Sequence, residues 1–229
     1  MTQRSRAIMK TLPLLAVAAL GAGALWTIAP SLAAETVVNA PRPALIEPAS
    51  GHRETAVFAG GCFWGVQGVF SHVKGVVSAT SGYTGGKGST AQYEDVSTGT
   101  TGHAESVKVV FDPARVNYAD LLRIYFSVVA DPTRLNAQGP DHGPQYRSAL
   151  FPQSPAQAKV AEAYIAQLSA AHVYPRPIVT RIETAQGFFP AESYHQDFMS
   201  KNPDYPYIVI NDRPKVEALK RLFPTSWKA

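Results

Sequence analysis

One cysteine, Cys62, stands in 229 residues. A lone thiol excludes an internal disulfide framework and any cysteine-rich zinc or iron–sulfur site. Charge is scarce too: 17% of residues are charged against 45% hydrophobic, a balance that excludes a disordered chain. The formal net charge of +4 is partly local, because Arg4, Arg6 and Lys10 supply three of the 21 positive residues before position 34. Without them 18 positives face 17 negatives, about +1, which offers no footprint for nucleic acid. No internal repeat and no low-complexity tract interrupts the chain. The length fits one domain behind a leader, large enough for a real core.

The leader is legible. Arg4, Arg6 and Lys10 precede Leu12–Ala29, eighteen residues without a charge, and Ser31-Leu32-Ala33 then offers small residues at the −3 and −1 positions. A basic start, an apolar middle and a small-x-small end is the order of a secretory signal peptide, here residues 1–33. The alternative is an inner-membrane anchor through residues 12–29, a length at the lower limit of a span; Pro13, Gly21 and Gly23 weaken it. Ser5 separates the arginines, so no twin-arginine signal is present. Either way the rest of the chain is expected to be exported, to a bacterial periplasm. Residues 34–53, with Pro41, Pro43 and Pro48 among small residues, read as a linker, and 54–229 as the catalytic domain.

Within that domain Glu54–Ala59 reads as a strand ending at Gly60-Gly61. Phe63–Lys74 has helical spacing, Val76–Tyr83 and Glu105–Phe111 read as strands, and Asn117–Val129 as a helix. Pro132–Tyr146 reads as a long loop. Pro155–His172 is the longest helix, with Ser154 as its cap, followed by a strand at Ile178–Thr184 and a short helix at Ala191–Met199. This order implies an α/β fold, a two-layer sandwich with a mixed sheet (a ferredoxin-like plait core) and long irregular loops that carry the site.

The sharpest local feature is Gly60-Gly61-Cys62-Phe63-Trp64-Gly65. A cysteine between a strand's end and a helix's first turn lies near unpaired N–H groups, which favour a thiolate. A buried structural cysteine is the ordinary alternative, with Phe63 and Trp64 as core aromatics. GCFWG, however, resembles the active-site motif of the class A peptide methionine sulfoxide reductases. GYTGG (82–86), YEDVSTGTTGHAE (93–105), DPTRLNAQG (131–139), DHGPQYRS (141–148) and YHQDF (194–198) agree with that family in order, over roughly residues 54–210.

The resemblance implies roles. Cys62 matches the nucleophile that attacks the sulfoxide sulfur, Glu105 the acid that protonates its oxygen, and Tyr93 and Tyr146 the hydroxyls that hydrogen-bond that oxygen. Phe63 and Trp64 resemble the pocket for the ε-methyl group, and Asp141 a carboxylate that binds the substrate's main chain or orients the site. The chemistry agrees: a sulfoxide is a poor electrophile until its oxygen is protonated, so a carboxylic acid of raised pKa and two phenols suit it. His103, His142 and His195 lack a ligand spacing such as HExxH and the family uses no metal, so no metal or other cofactor is expected. His195 and Gln196 read as structural support.

Two departures matter. The family often has Glu where this chain has Gln67. Many members also carry one or two further cysteines that resolve the oxidised nucleophile as a disulfide; here there is none. The cycle must then be closed by an external thiol: a thioredoxin-like protein, glutaredoxin or glutathione, or dithiothreitol in vitro. Pro140, before Asp141, is a smaller change. Expected substrates are oxidised proteins, peptides and free methionine sulfoxide, and a monomer is expected. Two rival readings are a cysteine acyl-transfer enzyme with His103 or His195 as base, and an exported binding module with a buried cysteine.

Overall fold

The computed structural model describes residues 37–49, 51–184 and 187–229; the leader read at 1–33 lies outside them. In chain order the elements are β1 (Glu54–Gly60), α1 (Phe63–Ser71), β2 (Val76–Thr84), α2 (Tyr93–Val96), β3 (Ala104–Phe111), α3 (Tyr118–Ile124), β4 (Ala137–Gln138), β5 (Asp141–His142), β6 (Ser148–Phe151), α4 (Pro155–Ala170), β7 (Arg181–Ile182), β8 (Phe188–Pro190), α5 (Phe198–Lys201) and α6 (Arg213–Leu222). A π-helical stretch, Tyr125–Val129, extends α3, and another, Ile208–Asp212, leads into α6.

The sheet runs β7-β6-β1-β3-β2-β8. Its four central strands are antiparallel throughout, with Phe58 of β1 opposite Val107 of β3 on one side and Leu150 of β6 on the other. With α1 between β1 and β2, and α3 between β3 and β6, these six elements make the β-α-β-β-α-β plait. The parallel β6–β7 pair makes the sheet mixed, as expected.

Phe58 shows why the layers hold. Its side chain leaves β1 on the helical side and stacks on Phe70 of α1 (ring centroids 4.7 Å apart), Tyr118 of α3 (5.9 Å) and Tyr125 (5.7 Å). Burial of several large rings at one point is worth about 1.5–3 kcal/mol for each side chain. Helix ends follow local chemistry: Asn117 accepts from the Asp120 N–H at 2.7 Å, and Ser154 caps α4 ahead of Pro155.

Several elements differ from the sequence reading. The strand expected at Ile178–Thr184 pairs only at Arg181–Ile182, and the helix expected at Ala191–Met199 is a run of turns until Phe198. β6, the inner neighbour of β1, is only four residues, too short for an alternation to register. α6 also went unread, because Pro214 sits in its first turn behind a proline-rich approach. The described part of the segment read as linker has no regular element, yet it packs on α3 and α4. Ala40 is fully buried, Val38 N–H donates to the Ser127 carbonyl at 2.9 Å, Arg123 Nε donates to the Ala40 carbonyl at 2.8 Å, and Tyr164 donates to the Pro41 carbonyl at 2.7 Å.

Candidate active site

The site begins at the end of β1. Gly61 has φ +89°, and a Cβ there would lie 2.5 Å from Cβ of Gln138, so the chain can turn beneath the β4–β5 hairpin only with glycine. The turn leaves Cys62 as the residue capping α1, partly exposed. Glu105, on β3, is buried at 2% exposure and accepts the Phe63 N–H at 3.0 Å. The acid is thus docked on the first turn of the helix that carries the thiol.

Burial pushes Glu105 up to about 8, the carboxylates of Asp141 and Asp212 adding to the effect and the Phe63 N–H opposing it. At neutral pH this carboxyl holds its proton. Burial also drives the Cys62 thiol well above its usual value, reinforced by Asp212, Glu105 and Asp141 and opposed by the Trp64 N–H. The expectation that the helix start favours a thiolate is therefore reversed. A first-turn N–H is a partial charge, and here it is outweighed by lost hydration and the carboxylates of Asp212 and Asp141, to which Glu105 adds its charge only once it ionises.

All seven residues singled out from sequence line one cavity of about 230 Å³: Cys62, Phe63, Trp64, Tyr93, Glu105, Asp141 and Tyr146. Tyr93 opens α2, where its N–H donates to Glu192 at 2.9 Å; the other oxygen of Glu192 takes the Tyr83 hydroxyl at 2.8 Å. Burial keeps both Tyr93, at about 12, and Tyr146 protonated, so each can donate. Among the described residues neither hydroxyl has a protein hydrogen-bond partner, and both are available to a ligand oxygen.

The apolar wall is held from behind. The Trp64 indole N–H donates to His195 Nδ1 at 3.1 Å, and its ring stacks on Phe198 at 3.8 Å. His195 is buried, and burial lowers its pKa, which suits a neutral acceptor fixing an indole. Gln67 donates to the Ala79 carbonyl at 2.9 Å and accepts from Ser81 at 3.1 Å and the Asp197 N–H at 2.9 Å. A neutral amide can serve these donors and acceptors together, which a carboxylate cannot.

Tyr205, Tyr207 and Asp212 were missed from sequence. Tyr205 and Tyr207 complete the cavity, and the Tyr207 hydroxyl donates to Asp141 Oδ2. Burial raises Asp141, with Tyr207 and Lys215 opposing. Asp212, buried, reaches the first turn of α1, where a Cβ on Gly65 would lie 2.2 Å from its Oδ1. These residues sit among prolines without a period, and no sequence signal points to them. No group of three His, Cys, Asp or Glu side chains is arranged to hold a metal among the described residues.

The fold and the cavity define an α/β protein in which one cysteine, a buried carboxyl that keeps its proton at neutral pH and two phenols share a small pocket. Comparison with known proteins narrows that class. The profile of the peptide methionine sulfoxide reductase family matches residues 54–226. The chain is 61% identical over 178 residues to peptide methionine sulfoxide reductase MsrA 2 of Mesorhizobium japonicum, covering 78% of this chain and 91% of that one. It is 48% identical over 176 residues to MsrA 2 of Synechocystis, with 77% and 82% covered. Among solved structures, reduced Mxr1 of Saccharomyces cerevisiae is similar at a TM-score of 0.58 and 31% identity, covering 71% of this chain and 92% of that one. Methionine sulfoxide reductase A of Corynebacterium diphtheriae gives 0.56 and 30%, over 74% and 89%. The chain belongs to the peptide methionine sulfoxide reductase family: it is an enzyme that reduces methionine sulfoxide and so repairs oxidised protein.

Proposed function

We propose that the enzyme reduces the S epimer of methionine sulfoxide, protein-bound and free, with Cys62 as nucleophile and Glu105 as general acid. One observation carries this reading: a carboxyl of pKa about 8 shares a small cavity with the thiol and two phenols. The substrate's methyl group lies against Phe63 and Trp64, and its oxygen among Glu105, Tyr93 and Tyr146. Asp141, tied to Tyr207, holds the substrate's main chain or orients the site.

Cys62 Sγ bonds to the substrate sulfur while Glu105 protonates the oxygen. The thiol proton replaces the one that Glu105 gave. The hydroxyl then passes to Sγ as the sulfur–sulfur bond breaks, leaving methionine and a Cys62 sulfenic acid. A first external thiol converts this to a mixed disulfide and water, and a second releases Cys62 as thiol and the reductant as its disulfide. A high resting thiol pKa is compatible with this, because the thiol needs to ionise only as its proton is passed on.

Chirality at sulfur supports the epimer preference. With methyl and oxygen both fixed, one epimer directs the rest of the residue toward the mouth and the other into the wall. Turnover of resolved epimers tests it: the S form is reduced and the R form is left intact, whereas comparable rates would contradict the assigned pocket. Residues 1–33 as a cleaved signal peptide support export to the periplasm, repair of exported proteins, and a periplasmic thioredoxin-fold protein as donor. The acyl-transfer alternative needs a histidine base, and both candidates are buried in other contacts: His103 with the Gly86 N–H and Lys87 carbonyl, His195 with the Trp64 indole.

A further inference from the structure

Three of the sequence motifs, GYTGG, GHAE and QYRS, contain residues to which catalysis gives no part, and in the fold these residues meet at one point behind the cavity. The point is Arg147, which follows Tyr146 directly and is 6% exposed. Its Nε and Nη2 grip the Glu183 carboxylate at 2.8 and 2.9 Å. Nη1 donates to the carbonyls of His103 at 3.2 Å and Pro144 at 2.9 Å, and Nη2 to that of Gly102 at 3.1 Å. All five N–H donors of the guanidinium are thereby used.

The partners matter by position. Gly102 and His103 lead into β3, three and two residues ahead of Glu105. Pro144 opens the 3₁₀ turn Pro144–Tyr146 that delivers Tyr146. Glu183 lies just past β7, its N–H held by the Leu150 carbonyl of β6 at 2.9 Å. One planar fork thus ties the start of the acid's strand to the turn of the phenol and anchors both to the sheet edge.

The glycines of GYTGG make room for this. Gly85 has φ +98°, and a Cβ there would stand 2.8 Å from Arg147 Nη2 and 3.0 Å from the Gly102 carbonyl. A Cβ on Gly86 would meet the His103 ring at 2.5 Å. His103 accepts the Gly86 N–H at Nδ1 (3.2 Å), which leaves its Nε2–H to donate to the Lys87 carbonyl at 3.0 Å. The β2 end and the β3 start are thereby locked together before the chain reaches Glu105.

We infer that Arg147, held by Glu183, is a positioning residue that fixes the separation of Glu105 and Tyr146 across the substrate oxygen. This rests on the roles proposed above for those two residues. Lysine cannot reproduce it: a point charge with three donors reaches neither both carboxylate oxygens nor the three carbonyls together, and the buried acceptors left over would shift the turns. Misplacement of reacting groups by about 1 Å can cost on the order of 10²-fold.

The test compares wild type, Arg147→Lys, Glu183→Gln and Glu105→Gln in reductant-free single turnover of methionine-S-sulfoxide, with Cys62 alkylation by iodoacetamide measured alongside. Arg147→Lys is expected to slow methionine formation by about tenfold or more, with half-saturation by substrate and alkylation of Cys62 unchanged, because the thiol and the methyl pocket stand on α1. Glu183→Gln is expected to slow it in the same direction by less, and it decides the matter if Arg147→Lys does not fold. Wild-type rates in a folded variant, or a loss matched by an equal loss of alkylation, would overturn the inference. Should Glu105→Gln itself run at the wild-type rate, the underlying role of Glu105 fails instead, and the two failures are told apart.

Discussion

Glu105→Gln has opposite consequences for activity and stability, and their pH dependence separates this account from others. In the folded protein the carboxyl is held at about 8 against an ordinary value of 4.5. Below pH 4.5 both folded and unfolded chains carry the proton, and the group costs nothing. Between 4.5 and 8 the unfolded chain releases the proton and the folded one keeps it, so stability is lost at about 1.4 kcal/mol per pH unit until the folded pKa is passed. At pH 7 the penalty is on the order of 3 kcal/mol. Glutamine does not titrate, and its Oε1 can still accept the Phe63 N–H. The variant should therefore match wild type near pH 4.5 and exceed it at pH 7 by roughly 6–12 °C in Tm for a domain of this size. Reductase activity should fall by about 10²–10⁴-fold, the usual worth of a general acid. Urea or thermal unfolding at pH 4.5, 6 and 7 reads the first effect and single-turnover methionine formation the second. A stability gap that does not widen with pH would refute the raised pKa, and a variant within about twofold of wild type in rate would remove Glu105 from proton delivery.

Other outcomes follow from the same geometry. The single-turnover rate of the wild type should fall as pH rises through about 8, as Glu105 loses its proton; a rate that climbs through that range would show that thiol ionisation governs instead. Tyr93→Phe and Tyr146→Phe should each cost about 10–100-fold in the same step, the worth of a hydrogen bond to developing charge, and an unchanged rate in either would take that phenol off the oxygen. His195→Ala removes the acceptor of the Trp64 indole at 3.1 Å and should raise KM about fivefold with a smaller effect on kcat. Gly61→Ala, at φ +89° and against Gln138, should destabilise the protein by about 1–3 kcal/mol by urea unfolding.

Much of this was legible in the sequence. Strong local patterns declared themselves: the apolar run of β1, the helical spacing after Phe63, the Ser154-Pro155 start of α4. What escaped was decided by tertiary contacts. β6 is a strand because β1 offers it an edge, and Tyr207 belongs to the site because the segment just before the π-helical stretch 208–212 lies beside Asp141. The seven site residues were placed through ordered motifs, while their electrostatics were not. From position alone Cys62 looks like a thiolate; burial and the carboxylates of Asp212 and Asp141 make it a resting thiol, and Asp212, the largest charge effect on it, is 150 residues away in sequence. Arg147 shows the same limit, since its partners come from three separate segments that no spacing rule connects.

The central claim is that one cysteine takes the oxygen and keeps it until an outside thiol arrives. Intact-mass analysis after a reductant-free turnover of methionine-S-sulfoxide tests this most directly. The expected result is about one methionine released per protein molecule, a protein heavier by one oxygen at Cys62, capture of that species by a dione reagent, and resumption of turnover on adding a small thiol. Methionine release with no added oxygen and no intermolecular disulfide would contradict it.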